Sequence, residues 1–163
     1  MTHQEEQYVH FASCLENLNR AWWILHEIKQ SERNSLVGPA FQMALIEYAK
    51  PYGTSYGVAQ TSKGNCVRYK LDAKHVPPVR LDLHNRLLRA RDQVHAHSDL
   101  TVMEAKLYVG RTSAGPRAFI VQNVLYGGEE LPQIDQIIEL IEGTLDSMYL
   151  EAESMEAKLT PGS

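Results

Sequence analysis

Two long stripes of apolar residues at helical spacing constrain this chain more than any other feature. Near the start, Tyr8, Phe11, Ala12, Leu15, Leu18, Trp22, Leu25 and Ile28 recur at three- and four-residue steps between about Glu5 and Gln30. Near the end, Ile134, Ile137, Ile138, Ile141, Leu145, Met148 and Tyr149 do the same. A helix with one apolar stripe must bury it against another element, so two such helices call for helix-on-helix packing. At 163 residues the chain is long enough for one domain with a core of its own. Both stripes carry more apolar surface than one small bundle obviously requires, which suggests Ile- and Leu-rich helix faces at a dimer interface.

The stretch between them supplies the other elements. A polar break at Ser31–Ser35 precedes a second helix starting near Pro39, with Phe41, Leu45, Ile46 and Tyr48 in sequence and Lys50-Pro51 as its end. From Pro51 to Pro78 there is no sustained periodicity, and Cys66–Tyr69 is the only strand-like fragment. A third helix follows Pro77-Pro78 and runs at least to His95. Lys106–Gly110 and Phe119–Leu125 are rich in β-branched and aromatic residues, with Thr112–Pro116 as a hairpin connection. Gly127-Gly128 breaks the chain before the last helix, which opens near Leu131-Pro132 with Glu129-Glu130 at its positive end. The expected fold is mainly α, a four- to five-helix up-and-down bundle with an inserted β-hairpin before the last helix. One domain spans 1–159; the acidic chain beyond Glu153 frays, and 160–163 form a disordered tail. The aromatic pair Trp22-Trp23 reads as core and interface rather than as a base-stacking platform.

Composition narrows the setting. Cys14 and Cys66 are far apart and fit no metal or redox spacing, so they read as free thiols in a reducing compartment. The opening Met1–Glu6 is no leader and no apolar run reaches spanning length, so the expected location is cytoplasmic, with no membrane contact. The net charge of −4 conceals a basic segment. Between Lys63 and Arg91 the charge is +6, leaving −10 for the rest, which suits an anionic ligand at one place or simply a solvated face.

The third helix carries the anomaly. His84, Leu87, Leu88, Arg91 and His95 share one face, so the apolar stripe is interrupted by an arginine. A buried guanidinium is costly unless an anion meets it. Either a structural ion pair or a phosphate-receiving site accounts for it. On a rigid helix Arg91 and His95 are about 40° apart around the axis, whereas Arg91 and His97 are about 120° apart. For His97 to act beside Arg91, the helix must unwind after Val94 or the two must meet across a subunit interface. Metal-free RNA cleavage needs a base for the 2′-hydroxyl, a cation for the phosphorane charge and an acid for the leaving oxygen. Histidine suits the first and last, and arginine suits the second.

The run Arg91-Asp92-Gln93-Val94-His95-Ala96-His97-Ser98-Asp99 resembles the signature of the HEPN superfamily: an arginine, a polar residue, a short spacer and a histidine. The segment from Leu83-His84 to Asp99 is similar to its abortive-infection branch, where the motif reads arginine, aspartate, spacer, alanine, histidine. On that match Arg91, Asp92 and His97 take the motif positions, and His95 falls in the spacer. The resemblance implies a HEPN-like helical bundle and a metal-independent endoribonuclease of toxin or antiviral-defence type. It implies a homodimer in which two motif copies form one cleft, with no cofactor and with RNA as substrate. Arg91 would meet the scissile phosphate, His97 would act as acid or base, and Asp92 would orient them. His84, His95, Arg89, Ser98 and Asp99 are the candidate binding residues around them. A separate antitoxin or nucleotidyltransferase protein is an implied partner.

Two rivals stand beside this reading. His84, His95 and His97 with Asp92 or Asp99 could ligate zinc, although His-x-His needs extended or irregular backbone to aim both rings at one ion. A non-catalytic HEPN-like module, binding RNA, nucleotide or protein, would leave Arg91 neutralised by Asp92 or by a distant carboxylate. Phosphate-loop, dinucleotide, nucleophile-elbow and His-Glu-x-x-His motifs are absent. Tyr56, Tyr69, Tyr108 and Tyr126 could line a nucleotide cleft, but ordinary packing accounts for them equally.

Overall fold

Helix α1, His3–Gln30, begins on a reciprocal cap. The Thr2 hydroxyl accepts from the Glu5 backbone N–H at 3.2 Å, and the Glu5 carboxylate accepts from the Thr2 N–H at 2.6 Å. The computed structural model describes residues 1–31, 35–60, 64, 66–95, 106–121 and 130–159, with backbone alone at 59–60, 93–95 and 121. Phe11, Cys14, Leu18, Ala21 and Leu25 form the buried row of α1. Leu15, Trp22 and Ile28 pack at its margin, while Trp23 is exposed, so of the pair expected as core and interface aromatics Trp22 lies against the core.

Helix α2, Val37–Ala49, folds back on α1 through Phe41, Ala44, Leu45 and Tyr48. Pro51 ends it in a tight turn over Lys50–Tyr52. Where the sequence offered a long connection with one strand, the chain forms a ribbon, β1 (Ser55–Gln60) antiparallel to β2 (Cys66–Tyr69). The first strand gave no signal because Gly57 and Ala59 dilute its β-formers. Gly57 is required by proximity: a Cβ there would lie 2.6 Å from both Glu6 Oε1 and Tyr69 Cε2. Two short turns, Ala73–His75 and Pro78–Arg80, lead into α3, Leu81–His95.

The hairpin is present as β3 (Lys106–Thr112) and β4 (Gly115–Val121). Its turn is tighter than expected, with Ser113 and Ala114 alone between the strands and Gly115 at φ +112°, so the second strand starts before Phe119. Residues 122–125, expected in that strand, lie outside the described residues. After a turn at Leu131–Gln133, α4 runs Ile134–Glu156, past the expected fraying point, with Met155 packed on the core. The tail at 160–163 also lies outside the described residues.

Helices α1 and α4 are antiparallel. Pairs descend in register from Tyr8–Glu156 through Asn19–Tyr149 (2.8 Å) and Trp22–Glu142 (2.9 Å) to Lys29–Asp135 (2.5 Å). The protein is thus mainly helical, with four helices around one core to which α1, α2, α3 and α4 all contribute. The stripes of α1 and α4 are consumed here: Phe11, Leu18, Leu25, Ile137, Ile141, Leu145 and Met148 are buried within the chain. Val9 and Trp23 on α1 and Tyr149 and Leu150 on α4 remain exposed outside these stripes or at their margins. No helix among the described residues is long and apolar enough to cross a membrane.

Candidate functional site

Helix α3 buries Leu83, His84, Leu87 and Ala90, and the adjacent row of His84, Leu88 and Arg91 carries it to the edge of the core. Arg86 pins this helix to the start of α4. Its guanidinium donates to Glu130 at 3.1 Å and to Gln133 at 2.9 Å, and reaches back to Asp82 at 2.5 Å. Glu130 is buried, so this contact holds its charge inside the fold.

Arg91 sits at the margin rather than in the interior, with its side chain 36% exposed. One terminal nitrogen donates to the neighbouring Asp92 carboxylate at 2.9 Å. Its Nε is buried with no hydrogen-bond partner among the described residues. The accessible part of the side chain thus lies beside one exposed carboxylate, and an incoming anion can reach it only there, not at Nε. Arg89 points to solvent, donating from Nε to the Asn85 carbonyl at 3.3 Å. The helix extends through His95, as expected. The side chain of His95, and His97, Ser98, Asp99 and Tyr126, lie outside the described residues.

His84 differs from a ligand-contacting histidine. It is buried, its Nδ1 lies 2.7 Å from the Tyr48 hydroxyl, and its ring meets that of Tyr52 edge-on at 4.5 Å between centroids. Burial, helped by the Lys70 charge, lowers its pKa, so the ring is neutral near pH 7. It nevertheless forms part of the floor of a cleft of about 470 Å³ lined by Tyr52, Lys70, Asp72, Asn85 and Leu88. Leu88, which lines it, stands one helical turn before Arg91. Tyr52 and Tyr48 were missed as neighbours of the site; a proline-flanked tyrosine and a helix-core tyrosine carry no local signal. Lys70 was visible only as one member of the basic segment.

The other tyrosines weighed for a cleft go elsewhere. Tyr56 is exposed under the Arg68 guanidinium at 5.6 Å, and Tyr69 stacks on His10 while donating to Glu6 at 3.0 Å. Tyr108 is on the hairpin surface. A second polar cluster joins the lead-in of α3 to α4. His75 Nδ1 is 3.0 Å from Ser147 Oγ and its Nε2 is 3.6 Å from Glu151, which also receives Lys74 at 2.6 Å. Burial lowers the His75 pKa, with Glu151 acting in the opposite sense. Among the described residues no three histidine, cysteine, aspartate or glutamate side chains gather to hold a metal ion.

Compared with known proteins, the chain matches no family model, no curated protein and no solved structure.

Proposed function

We propose that this chain is a HEPN-like, metal-independent endoribonuclease of the toxin or antiviral-defence type. In this reading residues 1–159 form one HEPN-like up-and-down bundle in the cytoplasm. It works as a homodimer, alongside a separate antitoxin or nucleotidyltransferase protein. RNA is the substrate: Arg91 grips the scissile phosphate, His97 gives or takes the proton, and Asp92 orients them. His95, Arg89, Ser98 and Asp99 contribute to binding, while His84 acts from within the core by fixing α3. The observation that supports the reading is the partly exposed Arg91 side chain at the margin of the core, on the same helix that lines the Lys70–Leu88 cleft. Arginine matches phosphate oxygens with a planar fork and stays charged throughout, which is what a phosphorane needs.

The alternative is a non-catalytic module binding RNA, nucleotide or protein, and the 2.9 Å pairing of Arg91 with Asp92 favours it. Cleavage of a structured RNA in chelator by the native chain, beside Arg91→Ala and His97→Ala, separates the two. Cleavage by the native chain alone supports the nuclease, and intact RNA in all three samples supports the module.

A further inference from the structure

The hairpin β3–β4 carries large apolar side chains on both faces, and among the described residues nothing covers them. Cross-strand pairs Leu107–Ile120, Val109–Ala118 and Arg111–Pro116 make one face aliphatic up to its arginine end, while Tyr108–Phe119 and Gly110–Arg117 share the other. Leu107, Tyr108, Val109, Phe119 and Ile120 are each between 54% and 68% exposed. A two-stranded ribbon is marginal in water without a third layer, so these faces call for a covering surface. Elsewhere the end of α1 and the start of α2 leave an apolar groove of about 320 Å³, bordered by Trp23, Ile24, Glu27, Ile28, Leu36 and Met43.

We infer that the hairpin of one chain docks its Tyr108–Phe119 face into the Trp23–Met43 groove of a second copy, and that the second copy reciprocates. Charge supports this pairing. Residues 106–121 carry Lys106, Arg111 and Arg117 and no acid, whereas among the described residues lining the groove Glu27 is the one charged side chain. Area supports it too. Tyr108 and Phe119, the two large side chains of the docked face, offer roughly 250 Å² per arm, and two arms with the surfaces they cover come to about 1,000 Å², the lower bound of a specific interface. The groove has room for one or two aromatic rings, and exchange of arm and groove closes about a two-fold axis. An RNA stacked on Tyr108–Phe119 beside Arg117 is the competing occupant. It would meet Lys106 and Arg117 on that face, whereas the groove offers both the Glu27 carboxylate to those cations and the apolar Trp23, Ile24, Ile28 and Met43 to the two rings.

The test is sedimentation of the full chain at micromolar concentration, with Phe119→Asp, Trp23→Asp and the charge pair Glu27→Arg and Arg117→Glu. All four positions are exposed, and circular dichroism checks that each variant keeps its helices. The expected result is a dimer, weakened at least tenfold by Phe119→Asp or Trp23→Asp and by each charge reversal alone, and restored when the two reversals are combined. In a Cys66→Ser background, mixing Met43→Cys chains with Tyr108→Cys chains gives a disulfide-linked pair under mild oxidation. A monomeric native chain overturns the inference, as does a dimer that none of these changes weakens. Loss of RNA binding in Phe119→Asp with an unchanged mass also overturns it and makes the ribbon an RNA surface. The inference stands apart from catalysis: a dimer that cuts no RNA keeps it and removes the nuclease, and a monomer that cuts RNA removes it together with the proposed homodimer while keeping the cleavage chemistry.

Discussion

The Tyr48 hydroxyl and the Nδ1 of His84 lie 2.7 Å apart in the core and join α2 to the helix that carries Arg91. Both side chains are nearly excluded from water, so neither has solvent as an alternative partner. The contact fixes the rotation of α3, and with it the position of Arg91 two turns further on.

Removing only the Tyr48 oxygen tests that link. Tyr48→Phe preserves the ring packing on Tyr52 but leaves a buried imidazole nitrogen unpaired. The expected cost is about 1–3 kcal/mol in chemical denaturation. An unchanged midpoint would mean that the pair contributes nothing to holding the two helices.

Acid should weaken the fold before the carboxylates titrate. Burial lowers the folded-state pKa of His84 and of His75 below the ordinary 6.5, so the unfolded chain takes up their protons first. Stability is then complete above about pH 6.5, falls as pH drops through that value, and levels off below the folded values. Each unit of depression is worth about 1.4 kcal/mol. Urea midpoints at pH 7.5, 6.5 and 5.5 should decline, and His84→Asn should flatten the slope. Midpoints that rise on acidification contradict the burial of these rings as neutral species.

Gly143 in α4 is held small by Pro77, whose ring would lie 2.7 Å from an added Cβ. On an open helix face Gly→Ala gains about 1 kcal/mol. Here the crowding opposes that gain, because the proline belongs to the turn that launches α3. Gly143→Ala is therefore expected to lower thermal stability, by about 1–2 kcal/mol net of the propensity gain. A higher melting temperature would show that the α3 lead-in is free to move.

The helices were legible because their burial repeats at three and four residues. Phe11, Leu18 and Leu25 on α1, and Ile137, Ile141 and Met148 on α4, mark their own faces without help from the rest of the chain. The β1 strand was not legible, since Gly57 is chosen by the approach of Glu6 and Tyr69 from distant parts of the sequence. For the same reason Arg91 could be singled out as an interruption of a stripe, but its place at the core margin could not. Whether such an arginine is interior depends on where α3 meets α2 and α4. His84 shows the converse: its position on the stripe was correct, while its role as partner of Tyr48 required the tertiary fold.

The central claim is that the Arg91 guanidinium receives a phosphate of RNA. It is tested most directly by the single-turnover cleavage rate of a structured RNA in chelator, for the native chain against Arg91→Ala, with matched melting curves for both. The account predicts cleavage by the native chain and a loss of about 10²–10³-fold in the variant, the scale of removing one donor from a transition-state anion. Equal rates in two equally stable proteins would contradict it, as would native protein that leaves the RNA intact.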